Sequence, residues 1–117
     1  MTQTGILGNQ AEKLADKYLR KQGLKSLTKN YHCRFGEIDL IMLDQDYLVF
    51  VEVRYRKNQN FGGAVESVDQ FKQAKLRRTA ETYLLKSNKH DYPCRFDILC
   101  ITGNINKPEI DWIKNAF

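Results

Sequence analysis

Residues 36–56 read GEIDLIMLDQDYLVFVEVRYR, two runs that alternate polar and apolar residues and are joined by a short polar break. Alternation with a period of two is typical of β-strands that bury one face. Asp44, Gln45 and Asp46 are turn-forming residues between the two runs. The stretch therefore predicts a β-hairpin, and the interpretation of the remaining chain depends on it.

The register of this hairpin decides which charged residues share a face of the sheet. A turn centred between residues 45 and 46 places Asp39 opposite Glu52, and it places Glu37 opposite Arg54. A slip of one residue would turn Glu52 to the other face. Because Gln-Asp is not a strong hairpin-forming pair, local sequence alone does not determine the register.

The second run, residues 47–56, is apolar on both sides as far as Phe50. This is the pattern of a central strand that is covered on two faces. A carboxylate in such a strand costs free energy unless another group compensates its charge. Glu52 therefore needs a partner.

Length and composition predict one globular domain over residues 1–117. Apolar residues make up 42% of the chain and charged residues 28%, which is ordinary for a folded protein. No run approaches the ~18 apolar residues of a membrane helix, and residues 1–10 lack the pattern of a signal peptide. Three cysteines without C-x-x-C spacing are expected to be reduced thiols. We expect a soluble, cytoplasmic protein without membrane contact.

The chain is basic, with 19 Lys and Arg against 14 Asp and Glu, a net charge of +5 and a pI near 9.2. A positive field attracts polyanions, of which nucleic acid is the commonest. The net charge thus predicts which molecules the protein attracts, but it does not identify a chemical reaction.

The residues before the hairpin predict a helix over 9–22, capped by Asn9 and ended by Gly23, and then a strand over 24–35. Glu12 lies near the edge of the apolar stripe of this helix. Two interpretations of Glu12 remain open, a solvated carboxylate favoured by the helix dipole and a member of a functional site.

The residues after the hairpin predict a polar loop over 57–64, a helix over 65–86 and a strand over 95–102. Lys72 falls in the middle of the apolar stripe of the second helix, where a lysine either extends its charge into solvent or reaches a buried anionic site. Strand, helix and strand in this order predict a right-handed crossover with parallel pairing. The tail, 108–117, is compatible with a short strand or a helical turn.

Asp39 and Glu52 facing each other form a candidate site for a divalent metal. Mg²⁺ prefers oxygen ligands and commonly uses one or two carboxylates together with water and phosphate oxygens. The alternative is a solvated ladder of charged residues, in which each cross-strand pair contributes ~0.2–1 kcal/mol. Adjacent carboxylates repel each other, which argues against a purely structural role, but the residues alone leave both interpretations open.

Five features occur together in order: an N-terminal helix with Glu12, the runs GEIDLI and VFVEVRYR, a later helix with Lys72, and the run RFDILCI. This combination resembles the YraN-like family of bacterial proteins over nearly the whole chain. That family is related to Holliday-junction resolvases in the PD-(D/E)xK nuclease superfamily. The resemblance implies an α/β protein with a restriction-endonuclease-like mixed β-sheet flanked by helices, in the order α-β-β-β-α-β.

The resemblance also implies a metal site. The first metal-binding acid of the superfamily falls on Asp39, the second on Glu52, and the acid of the N-terminal helix on Glu12. The implied cofactor is Mg²⁺ or Mn²⁺. Glu37 matches the GEID run and is expected to support the site.

The catalytic set implied by the resemblance is Asp39, Glu52, Arg54 and Lys72. Arg54 stands where the superfamily has a lysine, and an arginine stays protonated, so it cannot take a proton from water. Two hypotheses follow, a metal-dependent endonuclease and a DNA-binding module that has lost the chemistry.

DNA, including branched DNA, is the partner that the resemblance implies, and analogy with resolvases suggests a homodimer. The basic residues that we expect to contact nucleic acid are Arg56, Lys57, Lys75 and Arg78. A protein-interaction domain with incidental charge is a third interpretation, which predicts that DNA does not bind even at low ionic strength.

Overall fold

Helices and strands follow one another in the order α-β-β-β-α-β-β. The computed structural model describes residues 5–57 and 66–117, with side chains from residue 8 onward. The helices are α1 (Gly5–Lys21) and α2 (Gln70–Ser87). The strands are β1 (Lys25–Cys33), β2 (Gly36–Asp44), β3 (Tyr47–Arg56), β4 (Cys94–Thr102) and β5 (Glu109–Ile113).

The strands form one mixed sheet in the order β1-β2-β3-β4-β5. β3 and β4 are parallel and are connected through α2, whereas the other neighbouring pairs are antiparallel. The predicted mixed sheet flanked by helices is therefore confirmed, and it is consistent with a restriction-endonuclease-like fold. β5, which the sequence left undecided between a strand and a helical turn, extends the predicted order by one strand.

β3 is the central strand, as predicted, and its residues from Leu48 to Arg54 are buried. One side of β3 packs with α1 and the other side packs with α2. The α1 side contains Ala11, Ala15, Leu19, Leu40, Met42, Val49, Val51, Val53, Leu99 and Ile101. The α2 side contains Ile38, Ile41, Leu48, Phe50, Val68, Leu76, Ala80, Tyr83, Ile98 and Cys100. Burial of each large apolar side chain contributes about 1.5–3 kcal/mol, so these two layers hold both helices on the sheet.

The predicted start of the first helix is wrong, because α1 begins at Gly5 and Asn9 lies exposed inside it. The preference of asparagine for a cap is weaker here than the helical pattern that continues upstream. The predicted end is confirmed. Gly23 has φ +102°, and Leu24 donates its backbone N–H to the carbonyl of Leu19 at 3.1 Å.

The second helix starts later than the sequence indicates. Asp69 caps α2 by accepting the backbone N–H of Lys72 at 2.9 Å, so the helix begins at Gln70. Val68 precedes the helix in a bend and is still buried among the residues on the α2 side. Apolar periodicity predicts Val68 as part of the helix, because its spacing from the buried residues of α2 is the same as that of a residue in a preceding helical turn.

The predicted polar loop over residues 57–64 lies, apart from Lys57, outside the described residues. In the ranges that the structure describes, neither helix is long and apolar enough to span a membrane.

One buried carboxylate connects β4 to β5 and to the C-terminal turn. Asp97 is 0% exposed and accepts hydrogen bonds from Nε of Arg95 at 3.1 Å, Nε1 of Trp112 at 2.9 Å and the backbone N–H of Asn115 at 2.9 Å. Arg95 also donates to Oδ2 of Asp44 at 2.9 Å, at the hairpin turn. Asp97 thus joins three parts of the chain that are far apart in sequence.

Replacing Asp97 with alanine leaves these donors without an acceptor and Arg95 with one carboxylate instead of two. We expect Asp97→Ala to lower the free energy of unfolding by about 3–5 kcal/mol, as when one member of a buried ion pair is removed. Urea denaturation measures the change. Asp91, whose side chain is 94% exposed, provides the control, and Asp91→Ala should change stability by less than about 0.5 kcal/mol. Equal effects of the two substitutions would contradict the role of Asp97.

Candidate active site

The hairpin has the predicted register. Backbone pairing runs from Asp44 with Tyr47 to Leu40 with Val51, and the ladder ends there. In this register Asp39 and Glu52 lie opposite each other, one position beyond the last pair. Their side chains are on the same face of the sheet. Beyond the ladder, the carboxylate of Asp39 accepts the backbone N–H of Val53 at 2.8 Å. The side chain of Asp39 therefore takes the place of a ladder hydrogen bond at the point where β2 leaves β3.

A cavity of about 420 Å³ lies where this face of the sheet meets α2. Asp39, Glu52 and Arg54 line it from the hairpin, and Lys72 and Lys75 line it from α2. The structure thus brings the four predicted catalytic residues into one cavity together with a second lysine. Three of them are separated in sequence from Lys72 by 17 or more residues, so only the fold brings them together.

Burial and mutual repulsion disfavour the charged forms of the two acids. Burial raises the pKa of Asp39 to about 8, with a further contribution from the charge of Glu52. Burial also raises the pKa of Glu52, although the nearby cations Arg54 and Lys72 act in the opposite direction. Only a positive charge placed between them would favour ionisation of both carboxyls at once. The pair is therefore suited to binding a cation.

Arg54 is 7% exposed and supplies part of this compensation. Its Nη2 lies 3.0 Å from Oε2 of Glu52. Nevertheless, neither Nε nor Nη2 of Arg54 has a well-aligned hydrogen-bond partner among the residues that the structure describes. A buried guanidinium normally uses its donors. Nε and Nη2 of Arg54 are thus donors that could bind an oxygen anion in the cavity.

Glu12 approaches Asp39 from α1, which packs on the opposite face of the sheet. Burial raises the pKa of Glu12, whereas hydrogen bonds with Asn30 and Asp39 lower it. Asn30 of β1 has φ +52° and interrupts the regular pairing between Lys29 and Tyr31. The interruption lies beside Asp39, and the sequence prediction missed it. The signal was the asparagine itself, since asparagine adopts the left-handed conformation more readily than most residues.

Gly36 allows α2 to lie close to the cavity. Its φ is +155°, and a Cβ at this position would lie 3.2 Å from Oγ1 of Thr79 on α2. A larger residue here would have to displace the Thr79 hydroxyl by a few tenths of an ångström and would take up a positive φ that favours glycine. The glycine predicted as a bend thus also lies in close contact with α2.

The remaining predicted residues have different locations. Glu37 lines the cavity, and its charge contributes to the raised pKa of Asp39. Arg78 is exposed on α2. Arg56 and Lys57 follow Arg54 at the end of β3 and are not among the described residues that line the cavity.

Two lining residues, His32 and Cys33 of β1, were not predicted as part of this site. No spacing pattern connects them to the hairpin acids, because β1 reaches the cavity only through its pairing with β2. The structure also confirms that the cysteines are free thiols.

The acids provide oxygen ligands, which suit hard cations such as Mg²⁺ and Mn²⁺. Within the described ranges, no group of three or more His, Cys, Asp or Glu side chains is arranged as a metal site. Mg²⁺ does not require such a group, since one or two carboxylates with water and substrate oxygens commonly suffice. Asp39 and Glu52 are therefore the residues that could hold the ion, with Glu12 beside Asp39.

The raised pKa of Asp39 predicts a loss of stability with rising pH. Between its unfolded value of 3.8 and its folded value of about 8, the folded state retains a proton that the unfolded state has released. Stability therefore falls as the pH rises through this window. Asp39→Asn removes the carboxyl but keeps an acceptor for the N–H of Val53.

Above about pH 8 we expect this variant to be more stable than the wild type by about 1 kcal/mol or more, since one pKa unit corresponds to about 1.4 kcal/mol. Urea denaturation over a range of pH measures the difference. Asp46→Asn, at an exposed acid in the hairpin turn, should follow the wild-type curve. If Asp39→Asn follows it as well, burial does not raise the pKa of Asp39.

Comparison with known proteins agrees with the predicted family resemblance. Residues 11–101 match the Uncharacterised protein family UPF0102. A UPF0102 protein of Nitrosomonas eutropha is 54% identical over 117 residues, which span 100% of this chain and 97% of the relative. One of Nitrosomonas europaea is 51% identical over 117 residues, spanning 100% and 98%. One of Legionella pneumophila is 50% identical over 111 residues, spanning 94% and 92%. The chain therefore belongs to the Uncharacterised protein family UPF0102.

Proposed function

We propose that this protein is a metal-dependent endonuclease that hydrolyses phosphodiester bonds in DNA, including branched DNA. The observation that carries the proposal is the pair of acids, buried Glu52 and half-buried Asp39, in a cavity that also contains cationic side chains. Burying two repelling carboxyls costs free energy, and a protein that needed only stability would gain from replacing them. Their burial is understandable if the site binds a cation and a phosphate.

The proposed cofactor is Mg²⁺ or Mn²⁺, held by Asp39 and Glu52 with Glu12 adjacent. A bound ion of this kind lowers the pKa of its water and stabilises negative charge on the scissile phosphate. Since burial raises the pKa of Asp39 to about 8, the site holds a proton near neutral pH that the cation must displace. Binding should therefore release protons and tighten as the pH rises.

The basic residues have distinct roles in this proposal. Arg54 donates its N–H groups to a phosphate oxygen but cannot accept a proton, because a guanidinium stays protonated. A lysine can lose its proton, and Lys72 is the lysine whose charge acts on Glu52. Lys72 thus supplies the amine that β3 lacks, and we place the function of the lysine of the PD-(D/E)xK superfamily on α2.

The predicted DNA contacts divide into two groups around the cavity. Lys75 and Arg78 lie on α2 beside it, whereas Arg56 and Lys57 extend the positive charge along the end of β3. A homodimer would present two such sites to a junction with two-fold symmetry, and light scattering would detect it.

Cleavage of DNA tests the proposed activity directly. With Mg²⁺ or Mn²⁺ we expect cleavage of at least one of single-stranded, duplex and four-way-junction DNA, and no cleavage in EDTA. Asp39→Asn and Glu52→Gln should each lower the rate at least about 100-fold, because such ligands stabilise charge that develops in the transition state. Asp46→Asn, an exposed acid of the same hairpin, is the matched control. Cleavage that survives both site substitutions would disprove the assignment.

A second candidate, a DNA-binding module without catalysis, is favoured by the contact between Arg54 and Glu52. Oε2 of Glu52 lies 3.0 Å from Nη2 of Arg54, so the arginine engages an oxygen that a metal ion would need. In that case DNA binds, weakens with salt as counterions are released, and is not cut.

Arg54→Lys distinguishes the two candidates. A lysine at this position has fewer donors and a more flexible stem, and it can lose its proton. If Arg54 blocks the chemistry, the variant gains metal-dependent cleavage that the wild type lacks. If the wild-type site is active with its guanidinium, we expect the substitution to slow cleavage by about 10-fold or more, as for loss of a charged hydrogen bond of about 1.5–3 kcal/mol. Single-turnover rates on the same DNA measure both outcomes.

A further inference from the structure

We propose that Phe71, whose ring lies beside the cavity-lining Lys75, is a stacking platform for an unpaired nucleobase, so that the preferred substrate contains a single-stranded segment. This inference rests on the proposed function and specifies its substrate class. The residues that carry it are Phe71, Lys75 and Arg78 on α2, together with Arg34 and Phe35 in the turn between β1 and β2. We call these five residues the aromatic-basic patch.

The α2 part of the patch forms a single stripe. Phe71, Lys75 and Arg78 are spaced i, i+4 and i+7, which places them on one face of a helix. Phe71 is 70% exposed although the Nζ of Lys75 lies 5.2 Å from the centre of its ring. Lys75 also lines the cavity. One side chain therefore connects the exposed ring to the candidate active site.

The turn between β1 and β2 adds one further cation, Arg34, and the ring of Phe35, which Arg78 of α2 also contacts. The guanidinium of Arg34 lies 4.8 Å from the ring centre of Phe35, and that of Arg78 lies 4.6 Å from it. These cation–π contacts hold both guanidinium groups at the surface without neutralising them. Phe35 is thus already occupied by cations, whereas Phe71 keeps most of its ring available to a ligand.

Exposure alone does not support the proposal, because single exposed apolar side chains are common on protein surfaces. Leu85 on the same helix is 73% exposed, and we infer no function for it. Phe71 differs in two respects. It has an aromatic ring, and it lies next to a cation that belongs to the cavity. The combination is typical of surfaces that bind single-stranded nucleic acid, where cations follow the backbone and aromatic rings stack on bases.

The ring, and not the cations, determines the preference for unpaired DNA. Lys75, Arg34 and Arg78 attract phosphates of single-stranded and duplex DNA alike. The faces of bases in a duplex are already stacked on their neighbours, so a protein ring can reach a base face only where the strand is unpaired or ends. The charge of the patch complements a polyanion, and an apolar protein partner would have to desolvate three cations to cover the ring.

Binding without cleavage tests the inference. Fluorescence anisotropy in EDTA compares a labelled oligothymidine of about 20 nucleotides, long enough to cover one site, with a blunt duplex of equal length. We expect Phe71→Ala to weaken single-strand binding about 5-fold to 150-fold, which corresponds to ~1–3 kcal/mol for one stacked base. Duplex affinity should change less than about 2-fold, since phosphate contacts remain. Phe71→Trp should restore single-strand affinity.

Leu85→Ala is the matched control, because it removes an equally exposed apolar side chain from the same helix, and its affinities should equal those of the wild type. The inference is overturned if Phe71→Ala leaves single-strand affinity unchanged or weakens duplex binding equally. In either case a wild type that still binds DNA leaves the proposed function intact. A wild type that binds neither DNA at low salt overturns the proposed function as well. Equal melting temperatures for all variants would show that the substitutions do not act through folding.

Discussion

Repulsion between the carboxyls of Asp39 and Glu52 opposes folding, because Glu52 is buried and Asp39 is half-buried beside it. In such surroundings the repulsion between two like charges is several times stronger than in water. The protein reduces this cost in three ways. Arg54 lies 3.0 Å from Glu52, the charge of Lys72 acts on the same acid, and Asp39 holds a proton to a higher pH than a free aspartate does. The compensation is partial, because burial still raises the pKa of both acids.

The architecture around this pair makes the cost tolerable. β3 lies between two apolar layers, and its buried residues on either side of Glu52 hold the acid in position. The N–H of Val53 donates to Asp39 where the hairpin ladder ends. Close packing of α2 over Gly36 brings Lys72 and Lys75 to the cavity. Close packing of the sheet and helices thus holds the charged side chains of the cavity near one another.

The sequence predicted the parts of this arrangement that depend on periodicity. The alternation on both strands, with a turn centred between residues 45 and 46, predicted the register of Asp39 and Glu52, and the observed pairing confirms it. The position of Lys72 followed from the helical wheel. Local pattern could not predict the interruption at Asn30 or the capping of α2 by Asp69 after a buried Val68. Both depend on tertiary contacts, which favour one local conformation among several that the residues permit.

Similar reasoning explains why the sequence predicted the charged residues that line the cavity but not His32 and Cys33. The charged cavity residues on the hairpin and on α2 could be recognised in the sequence because they interrupt an apolar pattern. His32 and Cys33 lie on an edge strand whose pattern is mostly polar. On such a strand, the sequence does not indicate which polar residues face a cavity and which face solvent. Phe71 was missed for the opposite reason, since an aromatic residue at the start of a helix is ordinarily interpreted as core, and only the fold shows it in solvent.

Arg54 connects the questions of stability and of chemistry. A lysine at this position would compensate the charge of Glu52 only while protonated, so its contribution would depend on pH and on the other charges present. The guanidinium remains charged throughout, and it therefore stabilises Glu52 whether or not a metal ion is bound. The same property gives the cavity a fixed positive charge and no proton acceptor at this position. Because the charge of Lys72 acts on the same acid from α2, two cations on different elements compensate Glu52. Under the proposed function the arginine would bind the phosphate, and Lys72 would take the place of the superfamily's lysine.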